Sequence, residues 1–191
     1  MKVVDVSATV ATCLNSSGIP EASLEAEVLV RHVLDMDRVD YFSSLTDTFE
    51  HSEEGRLSSL VHRRMFGEPL AYILGYREFY GLNLVVDENV LVPRQETESM
   101  AEEVIGFVRA RFLGQLTIAD IGTGSGAIAI ALASSLPEAC LLAIDTSKEA
   151  LGVAQVNVNK HGLADRIDLI HGDLLEPLEY PVDIIVSNPP Y

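Results

Sequence analysis

Asn188-Pro189-Pro190-Tyr191 follows a strand-like apolar run, Val182-Asp183-Ile184-Ile185-Val186-Ser187, and holds the residue types best suited to chemistry in this sequence. A conjugated NH2 group carries two donors in one plane. The side-chain oxygen of Asn188 and the backbone carbonyl of Pro189, set side by side, accept both. The two prolines fix φ at their positions, so the carbonyl between them has little freedom. Tyr191 supplies a flat face that packs against a conjugated plane. Such a group holds an amide or aminopurine nitrogen still while the nitrogen reacts.

Three further features precede it. Asp120-Ile121-Gly122-Thr123-Gly124-Ser125-Gly126 lies between an apolar run and a helix-like run. Glycines let the backbone turn sharply and let a ligand approach the main chain. The spacing is GxGxG and not the GxGxxG of a dinucleotide pyrophosphate site. Asp120 beside the loop disfavours a phosphate and favours a ligand bearing an ammonium group. Asp145 closes a second strand, 23 residues after Gly122. A carboxylate there accepts hydrogen bonds from both hydroxyls of a ribose, although Asp145-Thr146-Ser147 also suits the N-terminal cap of the next helix. Gly172-Asp173-Leu174 follows a third strand, where it can meet an adenine ring.

The elements that position these residues alternate. Strands are expected over Thr117–Ile121, Cys140–Ile144, Arg166–His171 and Val182–Ser187, with helices over Ala127–Leu136 and Ser147–His161. Alternation of this kind implies a parallel sheet with helices on both faces, and the four features then share the carboxyl ends of the strands, where open α/β sheets bind ligands. Upstream, Thr97–Phe112 has an amphipathic helical pattern, with Met100, Val104, Ile105, Val108 and Phe112 on one side. Glu78–Leu82 and Leu84–Val86, split near Asn83, suggest a β-hairpin. Residues 1–75 are expected to form a small helical bundle over Val3–Leu14, Glu21–Leu34 and Ser52–Phe66. The expected organisation is a helical domain over 1–75, a hairpin linker over 76–93 and a ligand-binding domain from 94 to 191.

Composition narrows the partners. The 191 residues carry 29 acids and 13 bases, a formal charge of −16. Both halves are acidic, with 6 bases against 12 acids up to residue 75 and 7 against 17 after it. Tight nucleic-acid binding normally needs several Lys or Arg contacts to phosphate, so direct nucleic-acid binding is not expected. No apolar stretch is long enough for a bilayer, and the N-terminus lacks a cationic segment followed by an apolar one, so no membrane and a cytoplasmic location are expected. Cys13 and Cys140 are expected as two small buried thiols. The five histidines show no metal-ligand spacing, and no metal is expected.

Taken together, these residues resemble the class I S-adenosylmethionine-dependent methyltransferases with an NPPY motif. Gly67-Glu68-Pro69-Leu70-Ala71-Tyr72-Ile73-Leu74-Gly75, Arg77-Glu78-Phe79-Tyr80-Gly81-Leu82 and Val92-Pro93-Arg94-Gln95-Glu96-Thr97-Glu98 extend the likeness to the PrmC/HemK family over essentially the whole chain. Those are protein-(glutamine-N5) methyltransferases that modify the glutamine of the Gly-Gly-Gln tripeptide in class-1 peptide chain release factors. The resemblance implies a Rossmann-like α/β sheet behind a helical N-terminal domain that recognises the substrate. It implies S-adenosyl-L-methionine as cofactor, with Gly122, Thr123, Gly124, Ser125 and Gly126 along its methionine part, Asp145 on the ribose, and Asp173 and Leu174 flanking the adenine. It gives the substrate glutamine to Asn188, Pro189, Pro190 and Tyr191, of which Asn188, Pro189 and Tyr191 are the expected catalytic residues and Asn188 also borders the cofactor.

Two departures stand out. The family commonly has Pro-Asp where this chain has Gln95-Glu96, which keeps the acid and loses a rigid residue. Family members also continue past NPPY to complete a seven-stranded sheet. A truncated chain is therefore expected, with four strands in the order 3-2-1-4 and an apolar edge that invites an oligomer. Competing readings are a non-catalytic fragment that binds the cofactor or the release factor, and a nucleic-acid adenine-N6 methyltransferase, which the −16 charge disfavours. A nicotinamide dehydrogenase is disfavoured by the GxGxG spacing.

Overall fold

A computed structural model describes residues 1–112 and 114–189. Pro190 and Tyr191 lie outside the described residues. The chain divides into two compact units, Met1–Leu74 and Gly75–Tyr191.

The first unit is helical, with α1 (Val3–Ser16), α2 (Ala22–Leu34), α3 (Arg38–Ser43), α4 (His51–Met65) and α5 (Leu70–Leu74). Apolar residues at helical spacing meet in one core that includes Leu14, Leu29, Val30 and Phe49. Two polar devices fix the shorter elements. The Asp37 side chain accepts from Asp40 N at 2.8 Å and so caps α3. The Tyr41 hydroxyl, carried by α3, donates to Ser7 Oγ of α1 at 2.8 Å.

The second unit opens with an antiparallel hairpin, β1 (Tyr76–Phe79) and β2 (Leu82–Val85). Its turn is Tyr80-Gly81 and not the expected break near Asn83. Both turn residues have positive φ, 53° and 73°, as a two-residue turn matched to strand twist requires. Then come α6 (Gln95–Arg111), β3 (Leu116–Ile121), α7 (Ala127–Ser135), β4 (Ala139–Asp145), α8 (Lys148–Lys160), β5 (Ile167–His171) and β6 (Ile184–Ser187). The four later strands form one parallel sheet in the order β5-β4-β3-β6.

Helices were expected on both faces of that sheet. Among the described residues, α6, α7 and α8 share one core with Ile118, Leu141, Ala143, Ile167 and Val186, which alternate onto one face. The other face carries a smaller cluster of Ala119, Ile121 and Ile144, packed by Leu178 and Val182. The cause is topological. The crossovers β3-α7-β4 and β4-α8-β5 step the same way along the sheet, and right-handed crossovers in one direction put their helices on one face. The connection that returns from β5 to β6 would cover the other face, and it contains no helix.

Neither thiol is buried: Cys13 is half-buried and Cys140 exposed. Cys140 is the second residue of β4, on the face opposite to Ala139 and Leu141, and that face is thinly covered here. Among the described residues no helix is long and apolar enough to cross a membrane, and no cluster of His, Cys, Asp and Glu could hold a metal ion.

Candidate functional site

Parallel register aligns the carboxyl ends of the strands. Ile121 of β3 stands beside Ile144 of β4 and Ser187 of β6, and Asp145 beside His171 of β5. From β3 the chain runs outward to β4 and β5, then returns to β6 on the other side. The strand order thus reverses between β3 and β6, the place where open α/β sheets form a ligand crevice. A cleft of about 380 Å³ lies there, within the range of small-molecule sites.

The glycine loop forms one wall. Gly122, Gly124 and Gly126 have φ of +72°, +56° and +81°, a backbone conformation that side chains disfavour. A Cβ on Gly122 or Gly124 would meet nothing, whereas one on Gly126 would come within 3.2 Å of Ile130 Cδ1 and 3.4 Å of Ala154 Cβ. Gly122, Thr123, Gly124 and Ser125 line the cleft. Gly126, expected among the cofactor contacts, is not a lining residue; it lets α7 start against α8.

The loop's own N–H groups show what it cannot do. Gly122 N and Thr123 N both donate to Ile144 O, at 2.9 and 3.0 Å, and Gly126 N donates to Thr123 O at 2.9 Å. Gly124 N donates to Asp145 Oδ2 at 2.8 Å. A phosphate cradle turns such donors toward its ligand. Here those four are spent within the protein.

Asp145 is half-buried and lines the cleft. Its Oδ1 accepts from Ser147 N at 2.9 Å, while Ser147 itself caps α8 by accepting from Ala150 N at 3.0 Å. The carboxylate therefore pins both the glycine loop and the start of α8. With about four lone-pair positions on its two oxygens, it keeps acceptor capacity for a ligand hydroxyl. Asp173 and Leu174 line the cleft from beyond β5, both exposed.

Asp120 is not in the cleft but buried beneath it, only 1% exposed. Its Oδ2 accepts from Thr123 Oγ1 at 2.7 Å and from Ala129 N, in the first turn of α7, at 3.2 Å. Its Oδ1 is buried without a partner among the described residues. Burial is the main influence and pushes the carboxyl up to about 6; those two hydrogen bonds oppose the rise, and nearby Asp145 adds to it.

Asn188 follows β6 and lines the opposite wall with Pro189. Ser187 Oγ donates to Ile121 O at 2.9 Å, and Asn188 Nδ2 donates to Thr97 Oγ1 at 3.1 Å. The structure thus brings Asn188 and Pro189 to one cleft with Gly122–Ser125, Asp145, Asp173 and Leu174.

Sequence reasoning gave no site role to several residues that belong here. The segment from Asn89 to Arg94, with Thr97, lines the cleft. Arg94 is the one Lys or Arg among the lining residues, set against the two acids Asp145 and Asp173. Asn157, fully buried on α8, donates from Nδ2 to Val85 O and Ser125 O, both at 2.9 Å, and accepts from Val85 N at 2.6 Å. It joins the hairpin to the glycine loop. Its signal was a polar residue at an apolar position of α8, between Ala154 and Val158.

Comparison with known proteins adds to this geometry. Residues 5–75 match the model of the PrmC N-terminal domain, and residues 108–191 that of the methyltransferase small domain. The release factor glutamine methyltransferase of Rhodopirellula baltica is 43% identical over 91% of this chain and 60% of its own length. The protein of the same name from Chlorobaculum tepidum is 37% identical over 99% of this chain and 67% of its own. The chain spans about 60% of the length of the curated relatives it matches first. A crystal structure of a SAM-dependent methyltransferase from Agrobacterium tumefaciens shares the fold, with a TM-score of 0.51 and 20% identity over 60% of this chain and 39% of that one.

Proposed function

The chain belongs to the family of release factor glutamine methyltransferases, and we propose that it transfers a methyl group from S-adenosyl-L-methionine to a glutamine side-chain amide. The substrate in this reading is N5 of the glutamine in the Gly-Gly-Gln tripeptide of class-1 peptide chain release factors. A cytoplasmic location goes with that substrate, and the helical first unit is the part assigned to recognise it.

The residues present suit the cofactor. Gly122 and Gly124 present backbone with open space where a side chain would stand. The N–H groups of Gly122, Thr123, Gly124 and Gly126 are already bonded, so the loop makes a poor phosphate cradle. Its acids, Asp145 and Asp173, outnumber its one base, Arg94, as suits a ligand with positive sulfur and an ammonium group. Gly122, Thr123, Gly124 and Ser125 would run along the methionine part, Asp145 would take the ribose hydroxyls, and Asp173 and Leu174 would flank the adenine. Bound there, S-adenosylmethionine would supply an electrophilic methyl carbon on a sulfonium, and the amide nitrogen that takes it up would give one N–H proton to solvent.

The protein's own task is set by a weak nucleophile. The lone pair of an amide nitrogen is delocalised into its carbonyl, and a neutral amide holds its protons tightly. Positioning and electrostatics must then carry the reaction. Asn188 Oδ1 and the Pro189 carbonyl would accept the two N–H bonds and hold the nitrogen still, with Pro190 and Tyr191 completing the clamp. Accepting both N–H hydrogen bonds draws electron density onto the nitrogen. Well-oriented reactants can lower a barrier by roughly 7–11 kcal/mol.

The observation that carries this reading is the presence of Asn188 in the same cleft as the glycine loop and Asp145. Two variants test it. Asn188→Ala should abolish methyl transfer to a release factor while calorimetry still finds S-adenosylhomocysteine bound. Asp145→Ala should weaken that affinity by about tenfold or more, the scale of a lost hydrogen bond to a charged group. Full transfer by the first variant, or unchanged affinity in the second, sinks the corresponding assignment.

A further inference from the structure

We infer that Thr97 is a positioning residue that holds the Asn188 amide by its donor end, with the acceptor end left for the incoming substrate. The inference rests on the glutamine reading above and refines it.

A terminal amide has an acceptor end and a donor end, related by a half-turn about its last side-chain bond. For a substrate NH2 the two ends are opposites. Oδ1 toward the nitrogen accepts its N–H hydrogen bond; Nδ2 toward it sets donor against donor and the clamp repels.

The amide is held from another element. Asn188 Nδ2 donates to Thr97 Oγ1 at 3.1 Å, across 91 positions of sequence. With Nδ2 tied there, Oδ1 is the end left to accept. Thr97 is itself held. It lies in the first turn of α6, where its N donates to Arg94 O at 3.0 Å. The adjacent Glu98 side chain accepts from Tyr80 N at 3.1 Å, which ties that turn of α6 to the hairpin. Ser187 Oγ, on Ile121 O, secures the residue just before Asn188. Both ends of the link are therefore anchored to the sheet unit, and the hydroxyl between them is the element that a small substitution can remove.

The test is hydrogen exchange of the Asn188 side-chain NH2 by NMR on chain labelled with 15N-asparagine. In the parent, this NH2 should exchange several-fold slower than that of exposed Asn15. Thr97→Val, which keeps shape and loses the hydroxyl, should raise the Asn188 rate by about tenfold, the factor of one ordinary hydrogen bond. Thr97→Ser should restore the parent rate, because it keeps the oxygen; a packing role for the threonine would do the reverse, leaving Val near the parent and impairing Ser, which loses the methyl. Affinity for a Gly-Gly-Gln peptide, measured at saturating S-adenosylhomocysteine, should fall about three- to tenfold in the Val variant and recover in the Ser variant. An Asn188 rate equal to that of Asn15 in the parent, or unchanged by Thr97→Val, overturns the inference. If the parent binds no such peptide, the substrate reading fails, and the exchange rates still decide whether Thr97 fixes the amide.

Discussion

Replacing Asp120 by Asn should change how the stability of the second unit responds to pH. The carboxyl is 1% exposed, and burial, its main influence, pushes it up to about 6 from 3.8. The folded state thus holds the proton more tightly than the unfolded chain does. The stability this group contributes is complete below about pH 3.8 and is lost as pH rises through about 6. A shift of about two units corresponds to about 3 kcal/mol in full, of which about 2 kcal/mol falls between pH about 4.5 and about 7.5. Asn cannot ionise, yet its oxygen can still accept from Thr123 Oγ1 and Ala129 N. Any constant cost of the buried NH2 cancels when each protein is compared with itself at the two pH values. The assay is the exchange protection of the Ile118 and Ala119 amides, in the central strand β3 and fully buried. Between those pH values, parent protection should fall about 30-fold further than that of Asp120→Asn. Parallel behaviour of the two proteins would refute the argument, since Asp120 would then ionise as an ordinary carboxylate.

Two other substitutions probe the elements around the cleft. Gln95 begins α6, and Arg94 before it sits at φ −101° and ψ 153°, the extended region that a following proline prefers. Gln95→Pro should therefore stabilise the protein by about 0.4–1 kcal/mol in urea melts; a loss of stability contradicts the helix start described here. Asn157→Ala strips partners from Val85 N, Val85 O and Ser125 O in one step. Leaving these groups unpaired should cost about 2–4 kcal/mol, and a loss under about 0.5 kcal/mol would mean that water replaces the side chain at no penalty.

What the sequence revealed about this molecule was local. The strand runs around Ile118, Leu141, Ile167 and Val186 announce themselves by their own residue types, and the glycine loop by the φ that Gly122, Gly124 and Gly126 must adopt. Asp145 and Asn188 could be placed because each directly follows or ends a strand. Contacts made at a distance were silent. Thr97 acquires its role from a residue 91 positions away, and Asn157 from one 72 positions away. The hairpin turn was misplaced because Tyr80, a residue with a side chain, adopts the positive φ expected of Asn or Gly, while Asn83 lies within β2. Helices on one face of the sheet follow from the direction of successive crossovers, which no single window of residues contains. By its place beside the glycine loop Asp120 suggests a charge offered to a ligand. Its position in the strand's alternation instead turns it toward α7 and away from the cleft.

The most direct measurement is transfer of radiolabelled methyl from S-adenosylmethionine to a class-1 release factor, run beside the same factor with its Gly-Gly-Gln glutamine changed to alanine. The account predicts label on the first protein and none on the second. Equal labelling of both, or label on neither while S-adenosylmethionine is bound, would contradict it.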